Sequence, residues 1–215
     1  MSRAEWILGA ILVVLLAIVV IAAAALWLPK TTEQSLTPVP VTAVVAPTLS
    51  FQGGTALFAF AAANNTAREW RTDAELLEAR ATWPQGVTRD DITTGSGLWS
   101  FTFYSAAQNE VANIEVLENV PNLISQNKAP APLAPLLSTG WQVDSSDAVQ
   151  ILLEQAGGDE FLRTQGVSIL NMNLTTVSST NRIEWIISLF SSQTGQSLTI
   201  RVDANSGEII PATPS

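Results

Sequence analysis

Few side chains in this 215-residue chain are of the kinds that do covalent or acid–base chemistry. It has no histidine and no cysteine. The first absence removes the usual general base, the commonest metal ligand and every Ser-His or Cys-His dyad. The second removes disulfides, thiolate metal sites, thiol catalysis and a lipid-modified N-terminal cysteine. The carboxylates remain. Asp90 and Asp91 are adjacent in a Thr/Gly-rich stretch, and neighbours on an extended chain point apart, so they read as solvated loop acids rather than a glycosidase pair. No Asp-x-Asp-x-Asp-Gly calcium loop occurs. Gly95-x-Gly97 lacks the lysine and the strand-to-helix setting of a phosphate loop and reads as a turn. Serines are plentiful, but Lys30 and Lys128 are the only lysines and Lys128 falls in an expected linker, which leaves a Ser-Lys dyad unsupported. Asn64-Asn-Thr66 and Asn173-Leu-Thr175 match the glycosylation triplet, a pattern common by chance, and the second lies on an expected strand. These patterns assign no catalytic residue, metal ligand or cofactor.

The aromatic residues carry more information. Beyond Pro29 stand Trp70, Trp83, Trp99, Trp141 and Trp185, and disordered chains lack such residues. Trp99 and Trp185 occupy inward positions of alternating segments and read as core anchors. Trp70 and Trp141 fall outside the expected strands; if exposed, they are the candidate partner surface, because aromatics dominate interface hot spots. The net charge is −9 and no Lys/Arg cluster occurs, which disfavours nucleic acid and a basic patch on anionic lipid. The scattered acids read as a solvated surface.

Several elements must position these residues. Trp6 to Leu28 is a 23-residue run without a charge, about 34 Å as a helix, enough to cross a hydrocarbon core of about 30 Å. Trp6 and Trp27 stand near its ends, where indoles favour the headgroup level. The run is longer than the apolar region of a cleaved signal peptide, so residues 1–29 read as a cytoplasmic tip and retained anchor, contacting lipid through 6–28. Arg3 and Lys30 balance across it; the proline-bearing spacer that follows favours an extracytoplasmic C-terminal domain, with which the lack of cysteine is compatible. Residues 30–50, with Pro38, Pro40 and Pro47, read as an extended stalk. A second proline-rich stretch, 126–140, divides the remainder into modules 51–125 and 141–211, followed by a tail, 212–215.

Each module shows the same order. In the first, an alanine-rich helix over 55–63 offers Leu57, Phe58, Phe60 and Ala61 as its apolar face. Alternation then predicts strands over 75–83, 97–105 and 110–117. In the second, Asp144, Ser145 or Ser146 caps a helix that ends at Gly157-Gly158. Strands follow over 167–177, 183–191 and 196–204. An offset of 86 places Trp99 on Trp185, Ser105 on Ser191, Ile114 on Ile200, Val116 on Val202, Asn119 on Asn205 and Ile124 on Ile210 without a gap. A one-residue slip would turn each strand inside out, so the matched faces mark a duplication. The fold class is α+β: a transmembrane helix, then two tandem modules, each a helix packed on an antiparallel sheet.

The second module resembles a PepSY domain. The likeness rests on the helix beginning Asp147-Ala148-Val149, on Trp185, and on the ending Leu198-Thr-Ile-Arg-Val-Asp203-Ala204-Asn-Ser-Gly207-Glu208-Ile209-Ile210. In that ending Gly207 is expected at positive φ. The first module has Leu117-Glu118-Asn119-Val120-Pro121 at the corresponding place, so a different turn is expected there. PepSY-like domains accompany secreted metallopeptidases as inhibitors and folding aids and occur in membrane-anchored envelope proteins. The resemblance therefore implies a noncatalytic extracytoplasmic module in the cell membrane that binds or regulates a protein or peptide partner, a peptidase among the candidates, and it brings no functional residues. A structural assembly subunit, a small-molecule sensor and a hydrolase using carboxylates alone stand as alternatives.

Overall fold

The computed structural model describes residues 54–84, 86–136, 140–177 and 180–211. The chain divides into two compact units, Met1–Thr48 and Leu49–Ser215, and all described residues belong to the second. The expected anchor, stalk and tail lie outside the described residues. Among those described, no helix is long and apolar enough to cross a membrane.

The elements run α1 (Ala56–Trp70), β1 (Ala74–Trp83), α2 (Arg89–Thr93), β2 (Trp99–Ser105), β3 (Glu110–Leu117) and β4 (Val120–Lys128). The second half supplies α3 (Ser145–Gln155), α4 (Gly158–Gln165), β5 (Ser168–Val177), β6 (Arg182–Ser191), β7 (Ser197–Asp203) and β8 (Ile209–Ile210). The class is α+β, with one antiparallel sheet of eight strands in the order β4-β3-β2-β1-β5-β6-β7-β8. Each half is a four-strand meander. The two join where β1 pairs with β5, Ala79 facing Leu174 and Ala81 facing Met172. A single apolar cluster runs through both halves, because joining the sheets at their first strands puts both inward faces under one layer of helices.

The two halves share several local features at positions 86 residues apart. Ser105 and Ser191 are both fully buried, and each hydroxyl accepts a backbone N–H three residues on, from Gln108 and Thr194. Asn109 and Gly195, one offset apart, both take positive φ in the hairpin that follows. The final turns diverge as their residues demand. Gly207 has φ +78 and its N–H donates to Asp203 O at 2.9 Å. Glu118 and Asn119 have φ +50 and +65 in the two-residue turn between β3 and β4, the positive pair that matches strand twist.

Several expectations need correction. Helix α1 runs to Trp70, and its buried face is Ala56, Ala59, Ala63 and Ala67, whereas Phe58 is 58% exposed. Methyl-sized side chains let the helix backbone lie close to the sheet, and Phe60 alone of the two phenylalanines reaches the core aromatics. The stretch 126–140 is no free linker in its described part. Lys128 ends β4, Leu136 N–H donates to Leu76 O at 2.6 Å, and Ala129 and Leu136 are buried. Strand β4 and the short helices α2 and α4 were not anticipated. Helix α2 had a legible signal: Thr88 and Asp91 form a capping box.

Small side chains at the centre of the sheet make room for large ones. The register places Ala81 beside Trp99 and Ala79 beside Phe101, while Leu174 lies beside Trp185. The two indoles meet above the joint, 5.8 Å between centroids and edge to face. We expect Ala79→Leu to overpack this joint and destabilise the fold by about 1–3 kcal/mol. Urea denaturation followed by tryptophan emission measures it; an unchanged midpoint would mean the joint holds spare volume.

Candidate functional site

The most constrained polar cluster lies where the two halves meet. Trp99 Nε1 donates to Gly54 O at 3.1 Å, and its counterpart Trp185 donates to Val143 O at 2.8 Å. Each acceptor is the residue just before a helix cap, Thr55 for α1 and Asp144 for α3. The helix starts are therefore hung from equivalent indoles and brought together. Thr55 makes no side-chain cap. Instead Ala56 N–H donates to Ser145 Oγ at 2.9 Å and Leu57 N–H to Asp144 Oδ1 at 3.0 Å. The same Oδ1 accepts from Ser145 N–H at 2.7 Å, and Ser145 Oγ donates to Gly95 O at 2.8 Å. One carboxylate thus serves two helix N-termini, each carrying partial positive charge. Gly95 has φ +62, and a Cβ there would stand 2.3 Å from Ser146 N. The Gly95-x-Gly97 pair is a packing device, with a Cβ on Gly97 falling 2.9 Å from the Trp83 ring.

The sequence-predicted surface residues part company. Trp141 is 4% exposed, packs edge-on to Trp185 and beside Phe60, and donates Nε1 to Val143 O. It is core, and the exposure that would make it a partner surface is missing. The reason is the helix start: the residues before Asp144 must fold inward to deliver the Val143 carbonyl to both indoles. Trp70 ends α1 half-buried, donates Nε1 to Gln126 Oε1 at 2.9 Å and lies under the Arg71 guanidinium. It ties α1 to β4 and keeps part of its surface in water.

A groove of about 710 Å3 opens between the Gly86–Arg89 loop, α4, the Gly166–Val167 turn and Gln193. Val87, Leu162 and Val167 give it an apolar floor; Arg89, Asp159, Glu160 and Arg163 give it a charged rim. Arg89 Nε lies 2.9 Å from Asp159 Oδ1, and Arg163 pairs with Glu160. Gly86, at φ +93, has open space where a Cβ would be. The rim can orient a polar chain by paired charges, and each of its carboxylates is already engaged by a guanidinium. No group of three or more metal-ligating acids occurs among the described residues. Sequence reasoning missed this groove, because it is assembled from turns distant in the chain.

Asp90 and Asp91, expected as loop acids on an extended chain, lie instead in the first turn of α2. Asp91 Oδ2 accepts Thr88 N–H and Oγ–H, both at 2.7 Å, and Asp90 is exposed. Asp73 accepts from Ala107 N–H and from Ser105 Oγ–H, and these bonds hold its carboxyl below the ordinary value. Lys128 and then Arg71, at 3.0 and 2.8 Å, lower Glu110 in the same direction. On the sheet's open face Glu184 is fully buried, held by Arg182 at 3.1 Å and by Arg201 at 2.5 Å.

By fold and site, the described unit is an α+β domain of two four-strand meanders joined in one antiparallel sheet, with an open charged-rim groove. No family model, no curated protein and no solved structure matches the chain.

Two predictions follow from the polar clusters. Asp144→Ala removes an acceptor from two helix starts and should cost roughly 1–3 kcal/mol, while Asp144→Asn, which keeps the oxygen, should cost less; thermal melts of the two variants decide it, and equal losses would show that charge alone matters. The depressed Asp73 and Glu110 carboxyls contribute stability that is complete above their unfolded values near pH 4 and lost as pH falls through the lower folded values. Asp73→Asn with Glu110→Gln should therefore flatten the fall in urea midpoint below about pH 4, and an unaltered slope would refute the assignment.

Proposed function

We propose that this chain is a membrane-anchored, extracytoplasmic, noncatalytic protein whose tandem PepSY-like unit binds or regulates a protein or peptide partner. The observation that carries the reading is the groove at Gly86–Arg89 and α4. It is open and apolar-floored, its rim charges are mutually paired, and the chain contains neither histidine nor cysteine to work in it. Such a site suits an extended peptide, whose backbone dipoles and alternate side chains answer a polar rim and an apolar floor. The N-terminal run Trp6–Leu28 supports the anchor. The tandem PepSY-like organisation is supported by the 86-residue repeat, the paired indole-to-helix bonds and the turn at Gly207.

A second reading, an assembly subunit of a membrane complex, is favoured by one observation. Strand β4 is a sheet edge with Leu123 and Ile124 exposed. That edge is nonetheless blunted by Pro121, which has no N–H to offer, by an irregular register opposite Asn113/Ile114, and by Lys128.

Affinity capture with residues 31–215 against the detergent-solubilised envelope of the source cell tests the proposal. One stoichiometric protein should be retained. Gln193→Trp, which crowds the groove mouth, should lower its affinity about tenfold or more; Ala107→Trp, one repeat offset away, should leave it intact. Failure to retain any protein at several salt concentrations would refute partner binding, and equal binding by both variants would place the partner elsewhere.

A further inference from the structure

At the mouth of the groove one polar side chain is left without work. The β6–β7 turn that carries Gln193 is fastened to the end of α4. Ser191 Oγ–H donates to Gln165 O at 2.6 Å, Thr194 Oγ1–H to Gln165 Oε1 at 2.9 Å, and Ser192 N–H to Val167 O at 3.3 Å. The Gln193 side chain lies across Gly166, so closely that a Cβ there would stand 2.2 Å from its Oε1. Yet its carboxamide is exposed and has no hydrogen-bond partner among the described residues. A planar amide, with one acceptor and two donors, is thus placed by packing beside the apolar floor of Val87, Leu162 and Val167. The offset of 86 gives the first half Ala107 at this position.

A carboxylate at the rim is also short of a partner. Arg89 bonds Asp159 at 2.9 Å and stands 4.0 Å from Glu154, so one guanidinium serves two acids. Among the described residues Glu154 otherwise accepts only from Gln150 Nε2, at 3.3 Å. Asp90 and Asp91 adjoin Arg89 in α2, and acids outnumber bases 19 to 10 in the whole chain. That field repels an acidic occupant and draws a cationic one.

We infer that the groove takes an extended peptide with a basic residue beside an apolar one, a conclusion that rests on the groove being the partner site proposed above. In an extended strand the N–H and C=O of one residue point to the same side. Gln193 Oε1 accepts that N–H and its Nε2 donates to that C=O. The apolar side chain lies on Val87, Leu162 and Val167, and the cation takes the share of Glu154 that Arg89 leaves. The rim pairs are exposed and therefore weak, so they yield to an incoming cation.

Panning displayed random short peptides on the full-length chain in detergent tests this. Enriched sequences should set Lys or Arg beside an apolar residue. A selected peptide made synthetically should bind Gln193→Leu at least about tenfold more weakly, and Glu154→Gln several-fold more weakly with a shallower salt dependence. Both side chains are exposed, so thermal melts should not change. Replacing each peptide N–H in turn by an ester oxygen should find one position that costs affinity for the unsubstituted chain and nothing further for Gln193→Leu, which a merely structural glutamine would not produce. Peptides lost on Gln193→Trp but indifferent to Gln193→Leu and Glu154→Gln would overturn this inference and leave the groove as the peptide site, as would enrichment of acidic peptides. No enrichment, or undiminished binding to Gln193→Trp, would overturn both.

Discussion

Two helix N-termini converge on Asp144 and Ser145, and the rest of the described unit is arranged to allow it. The first amides of a helix need acceptors and carry partial positive charge, so bringing two such ends together is unfavourable without an anion between them. Asp144 Oδ1 receives Leu57 N–H and Ser145 N–H, and Ser145 Oγ receives Ala56 N–H. The sharing demands a tight approach from a third segment, which Gly95 permits by having no side chain. It also demands that both helix starts be held over the sheet, which Trp99 and Trp185 do through equivalent indole bonds.

From this constraint follows the merger of the two halves into one sheet. A module with a helix over four strands would leave β1 or β5 as an exposed first edge. Pairing these two edges removes both and brings the indoles into contact across the joint. The alanines of β1 are the local adjustment. Ala79 and Ala81 stand where strict symmetry would repeat the larger Met172 and Leu174, and two tryptophans and two long side chains on each strand would overfill a close-packed interior.

The two halves agree in the core and differ at the surface. The indole-to-backbone bonds and the buried serines recur in both halves, whereas the cap at Asp144 and Ser145 belongs to the second half and serves both helices. The charged-rim groove is built from Gly86–Arg89 of the first half and from α4, the Gly166–Val167 turn and Gln193 of the second, and the second half holds the Glu184 ion network where the 86-residue offset gives the first half Leu98.

The sequence by itself determined the class of the fold, the positions of six of the eight strands to within one or two residues, the inward facing of Trp99 and Trp185, and the positive φ of Gly207. These follow from local rules: alternation, capping and turn chemistry act over a few residues. Tertiary structure alone decided the rest. Trp141 became core because Val143 must reach two indoles, Phe58 stayed outside because α1 approaches on alanine methyls, and the stretch after Lys128 packed down because Leu76 offers its carbonyl to Leu136. The groove and the shared cap join residues far apart in the chain, such as Leu57 with Asp144 and Arg89 with Asp159. No local pattern encodes such pairs, since their proximity is set by which strands become neighbours and not by the residues themselves.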